Sequence, residues 1–216
     1  MKVLVIGGVA AGTKAAAKLK RENREVEVRI LTKSKEISYA GCGLPYFVGD
    51  LIENRDQLIV NTPEKFGKLT GAEVETGVEV TEVNREKKTV HAVSMETGEE
   101  REYSYDKLVI ATGASPIKPP VPGTDLENVF FMRTPDDAQA LKQAVKEGNI
   151  RRAVIAGGGF IGLEVAENLK SRGIKVTVID MAPHIMPGFD SEMAEYVEDY
   201  LADAGIMVLT LSLIHI

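Results

Sequence analysis

Ile155-Ala156-Gly157-Gly158-Gly159-Phe160-Ile161-Gly162 is the stretch that decides the fold. Gly157, Gly159 and Gly162 fill a G-x-G-x-x-G spacing. An apolar strand, Ala153–Ala156, precedes them, and residues 160–171 have helical spacing. In that setting the first glycine permits a tight turn. The second lets the backbone approach a diphosphate, and the third lets helix and strand pack closely. The helix start then offers N–H groups and a positive dipole end to the phosphates. Lys175–Ile179 reads as the next strand, closed by Asp180. A carboxylate there accepts from a ribose 2′-hydroxyl and repels a 2′-phosphate, so NADH is expected over NADPH. The bland alternative is a glycine loop that only packs.

A second such stretch opens the chain: Val5-Ile6-Gly7-Gly8-Val9-Ala10-Ala11-Gly12. Lys2–Ile6 reads as its strand, Ala10 to about Arg24 as its helix and Glu25–Leu31 as the next strand. Gly7 and Gly12 fit the spacing, but Val9 takes the middle glycine's place. Thr32, not an acid, ends the second strand, so one hydroxyl stands where a carboxylate would accept twice. On spacing alone this unit could be Rossmann-like without a ligand. The two βαβ units repeat a structure with different residues.

Between them the pattern changes. Residues 42–54 and Thr62–Leu69 predict short helices. From Glu73 to Tyr105 short alternating strands are broken by polar turns, at Val78–Val83, Thr89–Ser94 and Arg101–Tyr105. That predicts an antiparallel meander inserted in a parallel fold. Lys107–Ala111 returns as a buried strand ending at Thr112-Gly113. Pro116–Gly123 is a proline-rich linker, and Pro135–Glu147 and Asp190–Ala204 predict helices. The expected fold class is α/β, with two Rossmann-like dinucleotide-binding domains, the first carrying the meander. The segments are 1–113, a linker and helix at 114–149, and 150–216.

Composition narrows the function. The chain has 216 residues, 44% hydrophobic and 27% charged, as in ordinary soluble proteins. A net charge of −6 argues against a general nucleic-acid binder. No apolar run is long enough to span a bilayer. The one cysteine allows no intrachain disulfide, and a reducing cytoplasm is the expected setting. His91, His184 and His215 share no ligand spacing, so no metal is expected.

That cysteine, Cys42, lies in Ser38-Tyr39-Ala40-Gly41-Cys42-Gly43-Leu44-Pro45-Tyr46. A place at a helix start favours the thiolate through free N–H groups. A lone cysteine is also commonly an inert buried residue, and local context leaves both readings open.

Taken together, GGVAAG, SYAGCGLPY, TPEKF (62–66), SYDKLVIATGASPIKPP (104–120) and GGGFIGLEVAENL (157–169) resemble the pyridine nucleotide-disulfide oxidoreductases. The likeness is to their single-cysteine branch, which includes coenzyme A disulfide reductase, NADH oxidase and NADH peroxidase. It runs from residue 1 to about 209, and Val9 is itself usual in that branch. The resemblance implies FAD at Gly7, Gly8, Val9, Ala10, Ala11, Gly12, Thr32 and Lys33, and around Thr112 and Gly113. It implies NAD(P)H at Gly157, Gly159, Phe160, Ile161, Gly162, Glu164 and Asp180. It also implies Cys42 as the catalytic, redox-active residue beside the flavin.

For the substrate, Arg21 and Ser38 match positions that contact coenzyme A in the disulfide reductases. Lys14 and Lys18 replace neutral residues on the same helix. With Arg21 they are spaced to share one face that could meet phosphates. Gly41 stands where those enzymes usually have Asn, and Thr32 where the family normally has Glu. Coenzyme A disulfide is the first expectation for the acceptor, peroxide or oxygen the alternative. A redox sensor without turnover and an inactive fragment are the competing classes.

The family also implies a C-terminal dimerisation domain, and a homodimer, which these 216 residues would not include. Leu211 to Ile216 depart from the expected continuation, a polar turn and a further strand. A truncated or misassembled reading frame is expected from that ending, and an apolar tail is an aggregation hazard.

Overall fold

The computed structural model describes residues 1–148 and 150–212. In chain order come β1 (Lys2–Ile6), α1 (Ala10–Glu22), β2 (Glu27–Thr32), α2 (Leu44–Val48), α3 (Pro63–Thr70) and β3 (Glu73–Thr76). Then follow β4 (Val78–Asn84), β5 (Thr89–Ser94), β6 (Glu100–Ser104) and β7 (Lys107–Ile110). The remainder is α4 (Pro135–Glu147), β8 (Arg152–Ala156), α5 (Phe160–Ser171), β9 (Lys175–Ile179), α6 (Ser191–Asp203) and β10 (Met207–Leu209).

Two compact units result. One is Met1–Ala40 with Ile59–Ser115; the other is Gly41–Leu58 with the residues from Pro116 onward. Gly41–Leu58 therefore packs in the second unit, although it lies within the first of the three linear segments. The reason is α2, whose neighbours are α4 and α5.

The first unit has three layers. Its parallel sheet runs β3-β2-β1-β7. Val3 and Val5 of β1 face one core, with Ala16 of α1 and Phe66 of α3. Leu4 and Ile6 face the other, with Val78, Val90, Ala92 and Tyr103 of the meander β4-β5-β6. A strand covered on both faces must be apolar throughout, which is why β1 reads as a continuous run.

One expectation is corrected here. Glu73, taken as the start of the meander, belongs instead to β3, which pairs in parallel with β2 from Arg29↔Glu73 to Thr32↔Thr76. Its charged residues hide it. Arg29 pairs with Glu73 and, at 3.4 Å, with Glu75 across the strands. Gly77, at φ +68°, then turns the chain out of this sheet into the meander.

In the second unit the parallel sheet runs β10-β9-β8. Thr134 and Asp137 form a capping box that starts α4, with Pro135 in its first turn. β10, three residues long, was not expected from the sequence. After it, the Leu211 N–H donates to the Ala182 carbonyl at 3.0 Å and the Ser212 N–H to the Asp180 carbonyl at 3.0 Å. The rest of the apolar tail, residues 213–216, and with it His215, lies outside the described residues.

Candidate functional site

The two glycine turns are built alike, bond for bond. The Gly7 N–H donates to the Leu31 carbonyl at 2.8 Å, and the Gly157 N–H to the Ile179 carbonyl at 2.8 Å. Both glycines have positive φ, +108° and +116°. A Cβ on Gly12 would stand 1.8 Å from the Gly7 oxygen, and one on Gly162 2.0 Å from the Gly157 oxygen. The close packing of helix on strand is thus real in both. The Gly8 carbonyl accepts from the Ser38 N–H at 2.9 Å, and the Gly158 carbonyl from the Met186 N–H at 2.8 Å. Ser38 and Met186 share a left-handed backbone, φ 51° and 53°.

They differ at the strand end. Ile6 pairs with Leu31 and Ala156 with Ile179, which makes Thr32 the counterpart of Asp180. Thr32 is buried, and a Cβ on Gly8 would lie 3.0 Å from its methyl. Asp180 instead turns both oxygens onto backbone: Oδ2 accepts from the Gly158 N–H at 2.6 Å and Oδ1 from the Ala182 N–H at 2.8 Å. Each oxygen keeps a second lone pair for a hydroxyl.

The donor sets suit a diphosphate. Neither α1 nor α5 has a side-chain cap or an acidic residue in its first turn, so the first N–H groups of Ala10, Ala11 and Gly12, and of Phe160, Ile161 and Gly162, have no such partner. A Cβ on Gly159 would meet nothing within 4 Å, which is open space for a ligand backbone to enter. Val9 occupies the matching place in the first turn.

The other expected cofactor residues are placed as follows. A Cβ on Gly7 would meet the Ala111 carbonyl oxygen at 2.1 Å, so the Thr112-Gly113 turn starts beside the first glycine. Lys33 Nζ lies 3.5 Å from Glu79. Phe160 and Ile161 are exposed, and Phe160 makes an edge contact with Phe189 at 5.6 Å. Glu164 raises the Tyr46 hydroxyl above its ordinary pKa, chiefly by its charge.

Cys42 is exposed, in the single turn Gly41–Gly43 that leads into α2. The thiol is thus not buried within these 216 residues. α2, the helix that follows, carries Tyr46, whose hydroxyl also feels Cys42. A Cβ on Gly41 would meet nothing within 4 Å, so the missing Asn leaves space, not a filled contact.

The substrate residues are only partly brought together. Lys14 and Ser38 line one shallow, open surface hollow of about 310 Å³, with Thr13, Tyr39, Val60 and Phe66. Lys18 does not line it, and pairs with Glu22 one turn on, at 2.5 Å. Arg21 also lies outside that lining. The shared cationic face expected from spacing is therefore reduced, because Glu22 competes for the middle lysine.

Several residues at the C-terminal end of α2 and on the helices packed against it were not singled out from sequence: Asp50, Lys142, Asn168 and Arg172. Lys142 Nζ meets Asp50 at 2.8 Å and Arg172 pairs with the other oxygen of the same carboxylate. Asp50 and Arg172 are 122 residues apart, and no local spacing signals such a contact.

Fold and turns together define an α/β protein with a doubled dinucleotide-binding unit. The chain matches the pyridine nucleotide-disulphide oxidoreductases over residues 1–215 and belongs to that family. It is 38% identical over 97% of its length to an NADH oxidase of Methanocaldococcus jannaschii, of which it covers 47%. It is 34% identical over 93% of its length to a coenzyme A disulfide reductase of Staphylococcus haemolyticus, of which it covers 45%. The chain thus spans about half the length of the curated relatives it matches.

Among solved structures, an NAD-dependent persulfide reductase from A. fulgidus superposes with a TM-score of 0.92 at 41% identity, over 98% of this chain and 39% of that one. An NADPH oxidase engineered from the water-forming NADH oxidase of Lactobacillus brevis superposes with a TM-score of 0.90 at 30% identity, over 98% of this chain and 46% of that one. Its five substitutions fall on a glycine, an aspartate eighteen positions later, the two residues after that aspartate, and a proline seven positions beyond it.

Proposed function

We propose that this chain is the nucleotide-binding part of an FAD-dependent oxidoreductase that carries electrons from NADH through FAD to Cys42 and on to a disulfide. Coenzyme A disulfide is the preferred acceptor. The observation that carries the reading is the exposed thiol of a chain with one cysteine, in a turn that leads into α2, the helix packed on that of the second glycine turn.

FAD is assigned to the first turn, Gly7 to Gly12 with Thr32, Lys33 and Thr112-Gly113. NADH is assigned to Gly157, Gly159, Phe160, Ile161, Gly162, Glu164 and Asp180. Bound FAD would take a hydride from the nicotinamide and pass on two electrons. The chain's own chemistry is at sulfur. The Cys42 thiolate attacks one sulfur of the disulfide and expels one coenzyme A thiolate, leaving a mixed disulfide on Cys42. Two electrons then cleave that bond, release the second coenzyme A and restore the thiolate. Lys14 and Ser38 are assigned to the acceptor, on the hollow they line.

The preference for NADH rests on Asp180. Gly162, Asp180 and Pro187 repeat the spacing of the glycine, aspartate and proline replaced in the engineered NADPH oxidase. A reducing cytoplasm suits an unpaired exposed thiol, and a homodimer is the assembly that the family resemblance implies.

An oxidase or peroxidase is the second reading, favoured by the relative named NADH oxidase. There the thiolate would attack a peroxide oxygen, expel hydroxide and become a sulfenic acid, later reduced to thiolate and water. Replacing Cys42 by Ser tests both. NADH should still reduce the flavin, while turnover of disulfide or peroxide collapses, because a hydroxyl forms neither intermediate. Near-normal turnover by the Ser variant would refute the thiol mechanism. The better of the two acceptors for the unmutated protein decides between the readings.

A further inference from the structure

We infer that Asp50, gripped by Lys142 and Arg172, is the positioning residue for the Cys42 thiol. It fixes the thiol-bearing turn to α5, the helix that begins at the second glycine turn. What that thiol reduces rests on the function proposed above; the brace itself does not.

α2 has five residues, too few for a helix to persist by itself. Its C-terminal end is locked from two sides. From α4, Lys142 Nζ donates to Asp50 Oδ1 at 2.8 Å, to the Ile52 carbonyl at 3.2 Å and to the Glu53 carbonyl at 3.1 Å. The same ammonium stands 3.9 Å from the centre of the Phe47 ring. All three of its donors are thus spent on one short stretch of chain. The Lys142 side chain is 12% exposed and that of Asp50 39%, so the pair is half-buried, with the ammonium the more enclosed of the two.

From α5 come two more contacts. Asn168 is buried, and its Oδ1 would lie 2.0 Å from a Cβ on Gly49, so only glycine fits there. Arg172 pairs with Asp50 Oδ2. Glu164 and Asn168 on α5, and Arg172 just past its end, are spaced by four residues and share one face. That face meets Tyr46, Gly49 and Asp50 in succession. Asp50 itself has φ +65°, a left-handed backbone uncommon outside glycine. Such a conformation persists where its surroundings over-determine it, and these clustered contacts do so.

One helix therefore carries a nucleotide turn at its start and the brace of the thiol segment along its length. Removing the brace should let the thiol wander without touching the nucleotide turn.

The test uses the FAD-loaded enzyme. Cys42 is the one cysteine of these 216 residues, so the rate of reaction with 5,5′-dithiobis(2-nitrobenzoate), less that of Cys42→Ser, reads Cys42. Lys142→Met should raise that rate about fivefold, because local opening becomes easier. Disulfide kcat should fall about tenfold at unchanged KM, since misplacement of a reacting group acts on the chemical step. The rate of flavin reduction by NADH should stay as it is. Lys142→Arg should recover most of the loss. If Lys142→Met does not fold, Asp50→Asn serves in its place, with the same expected results.

A variant that only melts earlier, with thiol reactivity and kcat unchanged, overturns the positioning role. Failure of the functional reading looks different. It would appear as full disulfide turnover by Cys42→Ser, whatever the brace variants do to thiol reactivity.

Discussion

The Gly158 N–H donates to Asp180 Oδ2 at 2.6 Å, so the residue proposed to choose the nucleotide also holds the glycine turn. Asp180→Ala removes two functions together. Two charge-assisted bonds to backbone are lost, each worth roughly 1.5–3 kcal/mol, and Tm should drop by several degrees. The ribose loses its acceptor and the 2′-phosphate its repulsion. The ratio of kcat/KM for NADH over NADPH should fall by about tenfold or more, which corresponds to about 1.4 kcal/mol. Steady-state kinetics with both nucleotides check this. An unchanged ratio would remove Asp180 from the specificity site.

Gly12 and Gly159 should separate packing from ligand space. A methyl at Gly12 runs into the Gly7 carbonyl, which is backbone and cannot swing aside. Gly12→Ala should cost about 1–3 kcal/mol or more by overpacking, seen as a lower Tm. A methyl at Gly159 meets nothing in the protein, and its φ of −80° suits alanine. Gly159→Ala should keep its Tm and raise the KM for NADH, because the space it fills is where the proposed site would admit the diphosphate.

The two lysines of α1 should behave differently. Lys14 lines the hollow with Ser38, whereas Lys18 is held by Glu22. Lys14→Ala should raise the KM for coenzyme A disulfide about tenfold, as a lost charge-assisted bond would. Lys18→Ala should leave it unchanged. Equal effects from both would return Lys18 to the binding face.

Asp50 gives the acid limb of the stability profile. The hydrogen bond from Lys142 outweighs burial and holds its carboxyl below the ordinary carboxylate pKa. A carboxylate with a depressed folded pKa stabilises the fold above its unfolded value. That contribution is lost as pH falls through the folded value. The pair is partly exposed, so the effect is modest. Thermal melts from neutral pH down through the acid range should show a steeper fall for the unmutated protein than for Asp50→Asn. Parallel curves would mean that the pair contributes nothing.

Much of the fold was legible because it is written in local spacing. Continuous apolar runs marked β1 and β8, and glycines at fixed offsets marked the turns. Helical spacing marked α4, which spans Pro135–Glu147 as expected. β3 was misassigned because its charges face partners in another strand, and alternation cannot say which sheet a strand joins. The fate of Lys18 was open to spacing alone, since Glu22 lies one turn away, but the hollow beside Lys14 was not.

By itself the sequence determined the two glycine turns, the acid that ends β9 and Cys42 as the one cysteine of these 216 residues. Each depends on residue identity within a few positions, where φ, packing distance and hydrogen-bond reach are set by the covalent chain. Only the tertiary structure decided that Asp180 binds its own glycine turn and that Thr32 is buried in the matching place. It alone decided that Cys42 is exposed on a turn whose following helix is braced from α4 and α5. Lys142 reaches Ile52 across 90 residues of chain, and Arg172 reaches Asp50 across 122. Contacts of that kind depend on how the layers pack, because the ordering entropy of so long a loop is met only once the whole core has formed.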